Sequence, residues 1–250
     1  MLREARLGIL LHLAGFGIGQ ICHMNDTKAE ILALLKRNGG HNVNELAASL
    51  DLAPITIRQH LTRLERDGLL LSESRTNGSG RPHYVFRLSP KAHAEAFPYR
   101  SDRLVELLMK EIGYLDGSEL QGRTQREKTL LVLERLAQRL SDEYSSRLRG
   151  WPLQERVVFV TEVMRNDGGF AEWEKTERGF EIRDFNCLFH RLLEGDVCEW
   201  HGTFLTRMLG DDVRVQPCSG DGQCCRYEIV AQVKATASAR RLGKEMPVGN

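Results

Sequence analysis

Residues 26–88 carry four local patterns in an order that few folds accept: three short helices, then a hairpin. "NDTKAEILALLKRNGG" opens on polar capping candidates and closes on Gly39-Gly40, with Ile31, Leu34 and Leu35 at helical spacing. "NVNELAASLDL" predicts a second helix with Leu46, Ala47 and Leu50 inward. "APITIRQHLTRLERDGLL" predicts a third, in which Pro54 suits the first turn and Gly68 the end. Ile57, Leu61 and Leu64 recur at steps of four and three, so they face a core.

"LLLSESRTNGSGRPHYVFRLS" follows. Its apolar segments 69–72 and 84–88 flank a tip rich in Gly, Ser and Asn, the pattern of a β-hairpin. Three helices and a hairpin in this order make a winged helix-turn-helix. The off-core faces of the third helix carry Thr56, Arg58, Gln59, Thr62 and Arg63, side chains that pair with base edges and phosphates. The hairpin would bring Arg75 and Arg81 to the DNA backbone or minor groove. The net charge of +1 excludes a uniformly basic coat. Locally the balance differs: residues 54–88 hold arginines 58, 63, 66, 75, 81 and 87 against Glu65, Asp67 and Glu73. Such asymmetry is expected of a phosphate-facing surface. A winged helix used only for protein contacts would more often show an apolar third-helix face.

The remaining chain divides by composition. Residues 1–25 form an N-terminal extension whose basic start and apolar run mimic a secretion signal without an obvious cleavage site. An ordinary helix and a natural start at Met24 are the other readings. Residues 26–98 are the DNA-binding unit. Residues 99–150 are a helical linker and dimerisation region, with two helical patterns, "FPYRSDRLVELLMKEIGYL" starting at Phe97 and "RTQREKTLLVLERLAQRLSDEYSSRLRG". In the second, Leu133, Leu136 or Ala137, Leu140, Tyr144 and Leu148 form a stripe. It suits either the core of its own domain or a dimer helix that sets two recognition helices one DNA turn apart. Dimerisation is the favoured expectation, because one winged helix alone offers few contacts for specific binding. Residues 151–233 read as a small α+β domain: a helix ending on Gly168-Gly169, a hairpin turning near Arg178-Gly179, two short helical stretches and two closing strands. Residues 234–250 are a tail without apolar periodicity.

Five of the six cysteines fall in that last domain. Cys187 begins "CLFH", Cys198 begins "CEWH", and Cys218, Cys224 and Cys225 crowd into "PCSGDGQCC". The residues leave three readings open. Cys187, Cys198, Cys218 and Cys225 supply the four thiolates an iron–sulfur cluster takes. Cys187 with His190, and Cys198 with His201, are i, i+3 pairs acceptable to tetrahedral zinc. Cysteines also bury well as small hydrophobes with no metal. Of Cys224 and Cys225, only one is expected to point at a metal, since adjacent strand residues face opposite ways.

On "TKAEILALLKRNGG", "VNELAASLDLAPITIRQHLTRLERDGLL" and "GSGRPHYVFRLSPKA", the chain resembles the DNA-binding half of ArsR-like and DeoR-like bacterial regulators. It is most similar to the SufR-like branch of iron–sulfur-sensing repressors. The resemblance covers about residues 26–100. It departs at Ala53, where the family has a capping Ser or Thr. In the last domain it implies ligands at "NC" (Cys187), at Cys198 and at "CRY" (Cys225). Where the third ligand is expected, Asp211 stands, and Cys218 lies seven residues further on. Either of these, His190 or His201, Cys224 in place of its neighbour, or no ligand at all, is the alternate. The "C…GDGQC-C-x-Tyr" pattern is also similar to vinyl-reductase-type sensor domains.

The resulting expectation is an α+β chain with an N-terminal winged helix-turn-helix, connecting dimerisation helices and a C-terminal sensor domain with a cysteine cluster. It would be a cytoplasmic homodimer that binds a double-stranded DNA operator, as a repressor, under control of an iron–sulfur cluster. The alternative effector is zinc or a small molecule in the same domain. Glycine-rich nucleotide loops, HExxH, GxSxG and Cys-x-x-Cys are all absent from the sequence, which disfavours a redox or other enzyme. No membrane association is expected.

Overall fold

The computed structural model describes residues 26–76, 82–187, 197–218 and 224–232. The expectations placed on residues 1–25, on Arg81 at the hairpin tip, on His190 and on the tail lie outside the described residues.

The winged helix begins with α1 (Asp26–Asn38), α2 (Val43–Leu50) and α3 (Pro54–Arg66). Asn42 caps α2 through a capping box: its side chain accepts from Asn44 N–H and Glu45 N–H, and Glu45 accepts from Asn42 N–H at 2.8 Å. The α3 start has Pro54 in its first turn, and Ala53 offers no side-chain cap. Strands β1 (Leu70–Arg75) and β2 (His83–Leu88) pair antiparallel from Leu70↔Leu88 to Arg75↔His83, so both run longer than their apolar segments. His41 adds a bridge: its N–H donates to Phe86 O and its carbonyl accepts from Phe86 N–H. Ile31, Leu32, Leu35, Leu46, Ile57, Leu61, Leu64 and Leu70 close this core.

A short helix α4 (Pro90–Glu95) went unread in the sequence. Ser89 caps it, accepting from Ala92 N–H at 3.1 Å and donating to Gly68 O at 2.7 Å. Its signal was present as Ser89-Pro90, a cap followed by proline at the first helical position. Next come α5 (Ser101–Gly113), the single turn α6 (Gly117–Leu120), α7 (Gln125–Leu148) and α8 (Leu153–Asn166). Strands β3 (Ala171–Lys175), β4 (Phe180–Asp184), β5 (Val213–Cys218) and β6 (Cys225–Ala231) form one antiparallel sheet in the order β3-β4-β6-β5. Helix α9 (Val197–Leu209) packs on α7, α8 and β5, while α8 packs on β3 and β4. The architecture is α+β.

Leu133, Leu136, Ala137, Leu140 and Leu148 of α7 are buried in this second core, and Tyr144 packs against it. The stripe expected to mediate dimerisation therefore serves its own chain, because α9 covers it. The exposed apolar row of the helical region is Val105, Met109 and Ile112 on α5. No helix among the described residues is long and apolar enough to cross a membrane.

Candidate functional site

The third helix separates its faces cleanly. Ile57, Leu61 and Leu64 are buried, while Arg58, Gln59, Thr62 and Arg63 are exposed and Thr56 is half-buried. A helix anchored by three aliphatic side chains presents the opposite face rigidly. Ile55, 60% exposed at the helix start, joins the polar side chains there and was not singled out from the sequence. An apolar side chain at that position suits a thymine methyl. His60 lies among these residues, its pKa lowered first by burial and then by the charges of Arg63 and Lys28. At the far end of β1, Arg75 is exposed and pairs with Glu73 at 3.4 Å.

A second group of residues is hidden. On the buried face of the C-terminal sheet, cross-strand partners stand in rows: Phe180 with Ile229, Ile182 with Tyr227, and Asp184 with Cys225. Two rows are core-forming. The third, at the strand ends, is a carboxylate beside a thiol. The chain turns after Asp184 and places Cys187 next to it, while α9 brings His201 from the other side. Donor atoms of Asp184, Cys187 and His201 all lie within 4.8 Å of one another. Asp184 is 3% exposed, Cys187 6%, His201 7% and Cys225 3%.

Burial decides the charge states here. It lowers the His201 pKa to about 4, which leaves the imidazole neutral and able to ligate or accept. Burial also pushes the Asp184 carboxyl up. The N–H groups of Asn186 (2.9 Å) and Phe170 (3.0 Å), both donating to Oδ1, and then the charge of Lys36, pull it back.

The donor set fits a metal. Cys187 Sγ stands 3.6 Å from His201 Nδ1. A tetrahedral ion with zinc-like bond lengths would separate a sulfur and a nitrogen ligand by about 3.6 Å. The same spacing serves a sulfur–nitrogen hydrogen bond. Aromatic rings support the histidine: Trp200 meets it edge-on at 4.6 Å and Tyr227 at 5.9 Å. Two cavities meet at the cluster, and Asp184, Asn186 and Cys187 line both. One, about 70 Å³, runs under Trp200 and His201. The other, about 560 Å³, is also lined by Cys224, Cys225, Lys36, His93 and Tyr99.

Of the ligands expected from sequence, the fold thus brings Cys187 and His201 into the donor group. Cys225 stands opposite Asp184 on β6 and lines the larger cavity with Cys224, outside that group. Cys198 lies in α9 one turn before His201, and Cys218 ends β5 opposite Arg226; their side chains lie outside the described residues. Asp211 is exposed in the turn before β5 and stands apart from the donor cluster. The acid at the cluster is Asp184, which sequence reasoning missed.

The cluster also abuts the winged helix. Asn186 donates through Nδ2 to Gly168 O at 2.8 Å and Phe97 O at 3.1 Å, and accepts from Lys36 Nζ at 2.8 Å. Gly168 has φ +92, and a side chain there would meet the Arg100 backbone nitrogen at 2.7 Å. Arg37 forks onto Glu172, with Nε at 2.8 Å, and lies over the Phe170 ring at 5.4 Å. Phe97 meets Phe170 edge-on at 5.2 Å.

Comparison with known proteins bears on the first of these two surfaces. A family model described as winged helix-turn-helix DNA-binding matches residues 24–70. No curated protein matches the chain. Similar solved structures include ZitR of Lactococcus lactis in complex with DNA, at 20% identity over 48% of this chain and 75% of that one, TM-score 0.26. A MarR family transcription regulator is 24% identical over 57% of this chain and 91% of its own, TM-score 0.28. YusO of Bacillus subtilis is 16% identical over 55% and 92%, TM-score 0.31. The family match ends before the donor cluster begins. The chain carries a winged helix-turn-helix DNA-binding domain, matched over residues 24–70.

Proposed function

We propose that the chain is a cytoplasmic transcription regulator, acting as a repressor, whose DNA binding is set by a metal centre at Asp184, Cys187, His201 and Cys225. The observation that carries this reading is the buried cluster of three donor types within 4.8 Å, seated where the sensor core meets the winged helix. Arg58, Gln59, Thr62, Arg63 and Thr56, with Ile55, read the major groove. Arg75 and Arg81 of the hairpin hold phosphates or the minor groove. A second copy supplies the other recognition helix on a palindromic operator, and Val105, Met109 and Ile112 on α5 are the exposed apolar row open to it.

When bound, the metal supplies a fixed positive charge and a set of bonds to three elements at once. The chain's own residues do the rest. Asp184 holds the end of β4, Cys187 the following turn, His201 the middle of α9 and Cys225 the start of β6. Joining them restrains the turn that carries Asn186, and Asn186 touches α1 through Lys36. DNA affinity changes only as far as the two arrangements differ in metal affinity.

The mixed donor set favours a single ion such as zinc. Three thiols, Cys187, Cys224 and Cys225, on the wall of the larger cavity favour a second reading, an iron–sulfur cluster. Anaerobic purification followed by metal and sulfide analysis separates them. Stoichiometric zinc in a colourless protein supports the first, and a brown protein with iron and labile sulfide the second. Cys187→Ser should empty the site in either case. A chain that takes up neither, even after anaerobic reconstitution, would sink both.

A further inference from the structure

Lys36 belongs to the last turn of α1, in the DNA-binding half, yet its ammonium stands in the cavity of the donor cluster. It lines the larger cavity together with Cys187, Cys224 and Cys225. Nζ donates to Asn186 Oδ1 at 2.8 Å and meets His93 Nδ1 at 3.2 Å. It also lies over the Phe97 ring at 5.3 Å. The chain thus places a winged-helix cation in the wall of a cavity shared with Asp184 and three thiols.

The charge of an occupied cluster explains such a cation. Ionised Asp184 and Cys187 bring two negative charges, Cys225, the fourth ligand proposed above, brings a third, and a divalent ion returns two. With that fourth ligand the loaded centre is anionic, and an iron–sulfur centre held by thiolates is also anionic. Net charge in a buried site is costly unless a counter-charge stands near it. We propose that Lys36 is that counter-cation, and that through it the DNA-binding half reads whether the donor cluster is loaded. The inference rests on the metal-centre reading of that cluster.

The side chain is suited to the task. Lysine is a compact point charge on a flexible stem, so Nζ can turn from Asn186 and His93 toward the thiolates while the backbone stays in α1. Its position already bears on the cluster through Asn186, whose side chain accepts from Lys36 Nζ and whose N–H donates to Asp184 Oδ1 at 2.9 Å. Linkage makes the effect reciprocal. If Lys36 favours the loaded centre, loading favours the placement of α1 against the sensor core by the same factor. Arg37 provides a contrast one residue on, since it crosses the same seam but bonds Glu172 and Phe170.

The test uses the full chain and zinc alone as probe. Zinc affinity is measured by competition with a chromophoric chelator, and α1 is followed by hydrogen exchange with and without zinc. Lys36→Met should lower zinc affinity about fivefold or more and erase the zinc-dependent protection of α1. Lys36→Arg should restore both in part, because it returns the charge. Arg37→Ala should keep zinc affinity close to that of the unaltered chain, although it opens the same seam. If Lys36→Met folds poorly by circular dichroism, Lys36→Gln takes its place. A zinc-binding chain whose Lys36→Met form binds zinc equally well, or whose Arg37→Ala form loses as much, overturns the coupling alone. A chain that takes up no zinc and no cluster overturns the metal reading, and this inference falls with it.

Discussion

The two cores of this molecule handle polar groups in opposite ways. Within the winged-helix core, from Ile31 to Phe97, the one buried polar residue among those described is Ser89, which caps a helix. Its chemistry is all outside, on the exposed face of α3. The C-terminal core buries Thr161, Asp184, Asn186 and His201 among its aromatic and aliphatic side chains. A DNA-reading surface must be open to a large partner. A metal-ligating set gains from exclusion of water and from fixed orientation. Burying charged or ligating groups costs stability, so the second core carries a burden that the first does not.

Acid should expose that burden most strongly. Unfolded His201 takes a proton near its ordinary 6.5, whereas the folded residue resists until about 4. Between these values the unfolded state holds more protons, so stability falls as pH falls. The loss is on the order of 3 kcal/mol across the window. Asp184 acts in the other sense: its raised folded pKa removes stability as pH rises above the ordinary 3.8. Denaturant titrations of metal-free protein at pH 7 and pH 4.5, compared with His201→Gln, isolate the histidine. Equal pH dependence in both chains would erase the contrast between the cores.

On the other side, Arg58→Ala and Arg63→Ala should leave stability unchanged and weaken DNA binding. Each costs about 1–3 kcal/mol where the arginine meets a base. A fragment selected from random-sequence duplexes serves as the probe in a gel-shift assay. Unchanged affinity in both variants would remove α3 as the reading helix. The smallest effect sharpens the local logic of the first core. Ala53→Ser supplies the missing cap of α3 and should raise stability by about 1 kcal/mol, read from thermal unfolding.

The same contrast governs what could be read from the sequence. The winged helix was legible because its signals are local: a glycine stop at Gly39-Gly40, a proline at the α3 start, and aliphatic steps of three and four. The α7 stripe was ambiguous, since only the distant α9 decides that it is covered. The donor cluster was half legible. Cys187, His201 and Cys225 stand out in the sequence as ligand types, while the side chains of Cys198 and Cys218 lie outside the described residues. Asp184 looked like the last residue of an alternating strand. Its meaning comes from Cys225 across the ladder, which no local pattern reveals.

That ladder has a consequence for how the sheet assembles. Asp184 and Cys225 share a face only in the observed pairing, and a slip of one residue would turn one of them away. On the proposed function, with Cys225 as a ligand beside Asp184, metal uptake would then report that β4 and β6 had paired correctly. A misassembled sheet could not present the two side chains together.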